Sequence, residues 1–178
     1  MYPILRLIWQ MAKHRNDPPL AITGVHVSSH FCLPWDIDLW MELNNGRTLT
    51  LFDLGRIPLA RRAGLIDVIK QNGWGLVVAG ASVRYRRRVK MFDRITMRSR
   101  VVFWDDRFIY IEQSMWKSGD ECANHILLRT AVTGKAGIVP PGRVLDAMGQ
   151  PPARPEAPGW VTAWIEADAQ RPWPPAQE

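Results

Sequence analysis

Cysteine is scarce in this chain, with two in 178 residues, Cys32 and Cys122, far apart and in no CxxC or Cys/His spacing. That excludes a zinc site or a disulfide framework as the organising device and suits a reducing cytoplasm. Long apolar runs are lacking as well. The opening MYPILRLIWQMAKHR is broken by Arg6 and Gln10, is too short to span a bilayer, and has neither the charged start nor the small-residue cleavage site of a signal peptide. A soluble, cytoplasmic chain with no stable membrane insertion is expected. There is no internal repeat and no GxSxG elbow, which argues against a serine hydrolase. No zinc finger, RNP-like aromatic pattern or helix-turn-helix is present to read bases, so nucleic acid is not an expected partner. No cofactor or metal is expected either.

What is present is a 47% apolar composition, enough to bury a core without staples. One domain over residues 1–178 is expected, with a core at about 20–134 and a proline-rich extension at 135–178. In that extension Val144 to Met148 and Trp160 to Ala167 read as short helices between proline breaks, packing Trp160, Trp164 and Trp173 over the body. A net charge of +6 suits nucleic acid or any phosphorylated small molecule, and speaks of association rather than chemistry. Near the start, Leu5, Ile8, Trp9 and Met11 to Ala12 fall at helical spacing. They predict an amphipathic helix that docks on the body, in preference to touching a membrane surface.

In AITGVHVSSHF, Val25 and Val27 alternate with His26, Ser28 and His30, the period of a half-buried strand with the histidines on its polar face. No third ligand stands at a spacing that would make them a metal site. From Asn45 to about Arg62, Leu49, Leu51, Phe52, Leu54, Leu59 and Ala60 make a helix apolar on nearly all sides, which belongs inside. Gly55 permits close approach of a strand, and Pro58 should kink or divide the helix. A second short helix, Leu65 to Gln71, ends at Asn72-Gly73. Four period-two segments follow, beginning WGLVVAGASVRYRRRVKMF, with turn chemistry at Phe92-Asp93-Arg94, Asp105-Asp106 and Ser118-Gly119-Asp120, so neighbours read as antiparallel hairpins. An α+β hotdog fold accommodates this order: an antiparallel sheet of about five strands wrapped around a long central helix. An uncovered sheet edge implies strand pairing between subunits, in a homodimer or tetramer.

The stretch DIDLWMELNNGRTLTLFDLGR carries the functional signal. Asp36 and Asp38 precede Asn44-Asn45 and a helix containing Asp53 and Arg56, a pattern that resembles the 4-hydroxybenzoyl-CoA thioesterase branch of the hotdog superfamily. FWDDRFIYIEQ at 103 to 113 is similar to its thioesterase-like members, and the resemblance covers residues 20 to 134. It implies an acyl-CoA thioesterase with Asp38 as catalytic acid and Asn45 as the polar residue opening the helix. The family's usual histidine position holds Glu42. Physically, a thioester needs a base or nucleophile and a donor for the developing oxyanion. Asp38 could supply the first in either role, and N–H groups near Asn45, Gly46 and Arg47 the second, since a helix N-terminus favours negative charge. The bland alternative is that the aspartates end a strand and an asparagine caps the helix.

Asp53 and Arg56, at i and i+3, read first as an ion pair; Asp53 is also a second candidate for positioning water. Arg84, Arg86, Arg88 and Lys90 alternate, so a continuous strand would carry them on one face, either as a solvated edge or as forks for the phosphates of coenzyme A. Arg107 is a further phosphate candidate, by analogy with related enzymes. Trp40, Met41 and Trp74 could wall an apolar acyl tunnel or simply pack in the core. A noncatalytic acyl-CoA or acyl-chain binding protein is the competing reading, motivated by Glu42. A hotdog dehydratase is disfavoured, because no histidine occurs between His30 and His125.

Overall fold

The chain forms α1 (Ile4–Lys13), β1 (His26–Phe31), α2 (Asn45–Arg62), α3 (Leu65–Asn72), β2 (Gly75–Tyr85), β3 (Arg94–Trp104), β4 (Ile109–Trp116), β5 (Cys122–Gly134), β6 (Gly137–Val139), α4 (Pro141–Ala147) and α5 (Gly159–Ala169). The structure, a computed structural model, describes residues 2–118, 120–150 and 153–177. Gly119 of the β4–β5 turn and Pro151 and Pro152 of the extension lie outside the described residues. All strand pairs are antiparallel, in the order β1-β3-β4-β5-β2, with β6 added beside β5. The sheet and its central helix form the expected hotdog.

Central helix α2 is buried along Leu51, Phe52, Leu54, Gly55, Pro58 and Leu59. It approaches the sheet closely at Gly55, where a Cβ would stand 2.5 Å from the Met97 sulfur and 2.8 Å from Ser99 Oγ on β3. Gln113 on β4 locks that contact, donating through Nε2 to the Phe52 carbonyl at 2.8 Å and to Ser99 Oγ at 2.8 Å. Pro58 does not divide the helix, which runs unbroken from Asn45 to Arg62.

Three further expectations are corrected. β2 and β3 are not a hairpin: β2 pairs with β5 at the far edge, while only β3, β4 and β5 make a meander. Residues 86–93 therefore cross the sheet end rather than turn back. β1 is inverted relative to its polarity, since His26, Ser28 and His30 are buried while Val25, Val27 and Phe31 are exposed. Helix α1 is inverted too. It turns Arg6, Leu7 and Gln10 inward and leaves Leu5, Ile8 and Trp9 exposed.

Polar bonds explain both inversions. Arg6 donates to buried Asp36 at 2.7 Å and to the Phe31 carbonyl at 2.6 Å, and Gln10 donates to the Ser29 carbonyl at 3.2 Å. Ser28 Oγ and His30 Nε2 bond each other at 2.7 Å, so these two buried groups satisfy one another, while Gln10 Oε1 and His26 Nε2 are buried without a hydrogen-bond partner. Burial, with Arg6 nearby, pulls His30 down to about 3, and burial, with His14 and Arg62, pulls His26 down to about 4. In the extension α4 and α5 form as expected. Trp164 packs edge-on to Tyr110 with ring centroids 6.3 Å apart, but Trp173 is exposed rather than packed. Among the described residues no helix is long and apolar enough to cross a membrane.

Candidate functional site

The site is organised by how the chain enters α2. A 3-10 turn at Pro34–Asp36 delivers Asp36 into the interior, where Arg6 donates to one carboxylate oxygen and Arg47 to the other, through Nε at 3.1 Å and Nη2 at 2.7 Å. Burial pushes the Asp36 carboxyl up, but the bonds from Arg47, the Leu33 N–H and Arg6 outweigh it and hold it below the usual range. Asp36 is thus the anchor of α1, the turn and α2, and Arg47 is committed to it.

Residues 37–43 then fold into a small hairpin, with Ile37 bridged to Leu43 and the Asp38 N–H bonded to the Glu42 carbonyl at 2.9 Å. Asp38 Oδ1 accepts from the Trp40 N–H at 2.8 Å, stabilising the loop in the manner of an Asx turn. Met41 takes a positive φ of 59° there. Asp38 and Glu42 face each other across this loop, as cross-strand partners do. Asn44 caps α2, its side-chain oxygen accepting from Gly46 at 2.9 Å and Arg47 at 3.2 Å. Those two N–H groups, expected as oxyanion donors, are therefore taken by the cap. The Asn45 N–H is the first-turn donor the cap leaves over.

A groove of about 220 Å³ opens at this helix start, lined by Glu42, Asn45, Tyr85, Arg86, Arg88 and Asn124 among others. Glu42 pairs with Arg88 at 3.0 Å, and the Tyr85 hydroxyl donates to the Asn45 carbonyl at 3.4 Å. Tyr85 falls between the alternating cations Arg84 and Arg86 and is not among the residues singled out from the sequence. Its signal is being the last residue of β2, where the edge strand meets the helix start.

The cation row is corrected by the end of β2 at Tyr85. Beyond it the backbone bends, with Arg86 and Arg87 N–H groups both reaching the Ala123 carbonyl, and alternation is lost. Arg86 and Arg88 line the groove. Arg84, one residue before Tyr85, projects from the other sheet face. Arg107 sits in the β3–β4 turn. Ile109 pairs with Thr130 and Tyr85 with Asn124, six residues apart on β5, which places that turn about 20 Å from the groove.

Asp53 lies eight residues into α2, about 12 Å along the axis from Asn45, in an ion pair with Arg56. The Tyr2 hydroxyl donates to the Asp53 carboxylate, and burial followed by that carboxylate raises Tyr2 to about 12. Of the three residues read either as tunnel walls or as core, only Trp74 packs. Trp40 and Met41 are exposed on the loop, and Trp74 packs under Gly134 and beneath Arg143. The apolar cavity beside α2 holds only about 50 Å³ and is lined by Leu59, Ala60, Ile109 and Thr130 near the helix's other end.

Among the described residues one cluster has metal-ligand chemistry: His14, Asp17 and His26, with one candidate ligand atom from each, all within 4.8 Å of one another. The Arg62 guanidinium already donates to His26 Nδ1 at 3.1 Å and stands 3.5 Å from Asp17, which supplies the positive charge a cation would bring. Cys32 is free and buried, its thiol pushed up to about 11 by burial and nearby Asp36.

Residues 32–165 match the model of the thioesterase-like superfamily. Protein THEM6 of Xenopus laevis is 32% identical over 143 residues, covering 79% of this chain and 67% of that protein. Among solved structures, the probable thioesterase YbaW from Escherichia coli has a TM-score of 0.64 at 14% identity, covering 69% of this chain and 96% of YbaW. SAV2348 from Staphylococcus aureus, solved in complex with CoA, has a TM-score of 0.59 at 10% identity, covering 74% and 89%. At such identities these two likenesses establish the fold.

Proposed function

The chain belongs to the thioesterase-like superfamily, and on that footing we propose that it hydrolyses an acyl-CoA thioester to a free acid and coenzyme A. The observation that carries this reading is the groove at the start of α2, where a helix N-terminus, three arginines (Arg86, Arg87 and Arg88) and the Glu42 carboxylate converge. Arg86 and Arg88 would take ligand phosphates by charge-assisted bonds. The thioester carbonyl would then lie at Asn45, whose N–H and helix field stabilise the oxyanion. The bound CoA of SAV2348 supports that class of ligand.

Asp38 takes a proton from water as the water oxygen bonds the acyl carbon; collapse expels the coenzyme A thiolate, which receives the proton back. Direct attack by Asp38, giving a mixed anhydride that water then cleaves, is the other route. Glu42, opposite Asp38 and facing the groove, orients the water. β2 is an edge strand of the sheet, with Val77 and Val78 exposed, and pairs with a second copy to complete the site.

Two contacts favour the noncatalytic alternative: Asp38 is engaged in its own loop, and Glu42 in an ion pair with Arg88. Thiol release from a panel of acyl-CoAs decides between them, with Asp38→Asn and Glu42→Gln run in parallel. Turnover lost in Asp38→Asn, with folding intact, supports the enzyme. Saturable acyl-CoA binding without thiol release supports the binding protein.

A further inference from the structure

Helix α1 presents the wrong face to water. Leu5 is 83% exposed, Trp9 67% and Ile8 59%, while its inward side is fixed by the bonds of Arg6 and Gln10 to Asp36, Phe31 and Ser29. The helix cannot roll to hide its apolar side without breaking the salt bridge to a fully buried carboxylate. The apolar surface also continues beyond the helix. Ile4 and Leu5 share a groove of about 620 Å³ with Trp35, and Trp9 shares the adjoining groove with Phe31. The loop after Trp35 adds Leu39 and Trp40, 97% and 77% exposed. Contiguous exposed apolar surface of this kind marks a contact site.

Charge indicates what makes the contact. Lys13 and Arg94 line the groove beside Trp9 and Phe31, and Arg15 follows α1. All three are exposed, and among the described residues none pairs with a carboxylate in a salt bridge. Four of the nearby acids are neutralised, Asp36 by Arg6 and Arg47, Asp53 by Arg56, Asp17 by His14 and Arg62, and Asp93 by Lys117; Asp38, beside Leu39 and Trp40, accepts from backbone N–H groups of its own loop. An apolar helix face carrying tryptophan, rimmed by unpaired cations, matches the boundary between lipid headgroups and acyl chains. A second copy docked face to face would instead bring two cationic rims together.

We propose that α1, with Phe31 and Trp35, docks this protein on a membrane surface bearing anionic headgroups, lying in the interface plane without crossing it. The inference stands on α1 and its surroundings and does not depend on the thioesterase reading.

The test is flotation of the full chain with vesicles of phosphatidylcholine alone and of phosphatidylcholine with phosphatidylglycerol in equal parts, alongside light scattering. The expected result is binding to the anionic vesicles, weaker on the neutral ones, and released at about 1 M salt, where the Debye length falls to about 3 Å. Leu5→Glu should weaken binding about tenfold or more, and Lys13→Gln, which removes one charge, about fivefold. Trp9→Ala serves as a second variant, with thermal melting showing that each remains folded. Absence of binding to either vesicle overturns the proposal, as does binding indifferent to Leu5→Glu and Trp9→Ala. Self-association abolished by Leu5→Glu, without vesicle binding, assigns the face to a second copy and also overturns it.

Discussion

His26 and His30, on the buried face of β1, should make the protein acid-sensitive well above the range where carboxylates titrate. Around His26 stand His14, Arg62 and Asp17; around His30 stand Arg6, Lys13, His14 and His26. Folding pulls the two imidazoles from the ordinary 6.5 to about 4 and about 3. Both are neutral in the folded protein at neutral pH. As pH falls below the unfolded value, the unfolded chain takes up protons that the folded protein refuses, so stability is full above about 6.5 and declines below it. At about pH 5 each histidine contributes a loss of about 2 kcal/mol relative to about pH 8, about 4 kcal/mol together. That is a large share of a stability of about 5–15 kcal/mol. Urea unfolding at a series of pH values measures it directly. His30→Gln, which keeps a polar partner for Ser28 but does not titrate, should reduce the pH-dependent loss by about half. A wild-type stability that stays level between about pH 8 and about pH 5 would refute the reasoning.

Asp36→Asn leaves the Arg6 and Arg47 guanidiniums without their carboxylate and should cost about 3–5 kcal/mol; faster hydrogen exchange in α1 and at the start of α2 is the accompanying sign. Gly55→Ala places a methyl against Met97 and Ser99. It should lower stability by about 1–3 kcal/mol despite alanine's better helix propensity, as thermal melts would show. Arg86→Ala should raise KM for acyl-CoA several-fold with little change in kcat. Arg107→Ala, about 20 Å from the groove by the strand register, should leave both nearly unchanged.

Periodicity and capping chemistry determined much of this protein. The apolar run 49–60, the Asn44 cap, the glycine at 55 and the turn at Asn72-Gly73 are local signals, and α2, α3 and the close contact with β3 follow from them. The same holds for the short helices between prolines in the extension and for the pairing of Asp53 with Arg56 one helical turn apart. The motif from Asp36 to Asn45 also pointed to the helix start, where the groove lies.

Tertiary structure alone decided which side of an element faces inward. Alternation divides β1 into two faces, and helical spacing does the same for α1, but the rule that apolar residues go inside assumes that polar ones have only water as a partner. Here Arg6 finds Asp36, Gln10 finds Ser29, and Ser28 finds His30, all but the last separated widely in sequence, so the polar faces are buried and the apolar ones are left outside. Strand order was equally beyond local reading. Phe92-Asp93-Arg94 has turn chemistry whether the strands it joins are neighbours or lie across the sheet, and only the pairing of β2 with β5 moves Tyr85 to the helix start and Arg86 and Arg88 into the groove. Each of these outcomes depends on partners brought together from distant parts of the chain, information that a spacing of two or of 3.6 residues does not carry.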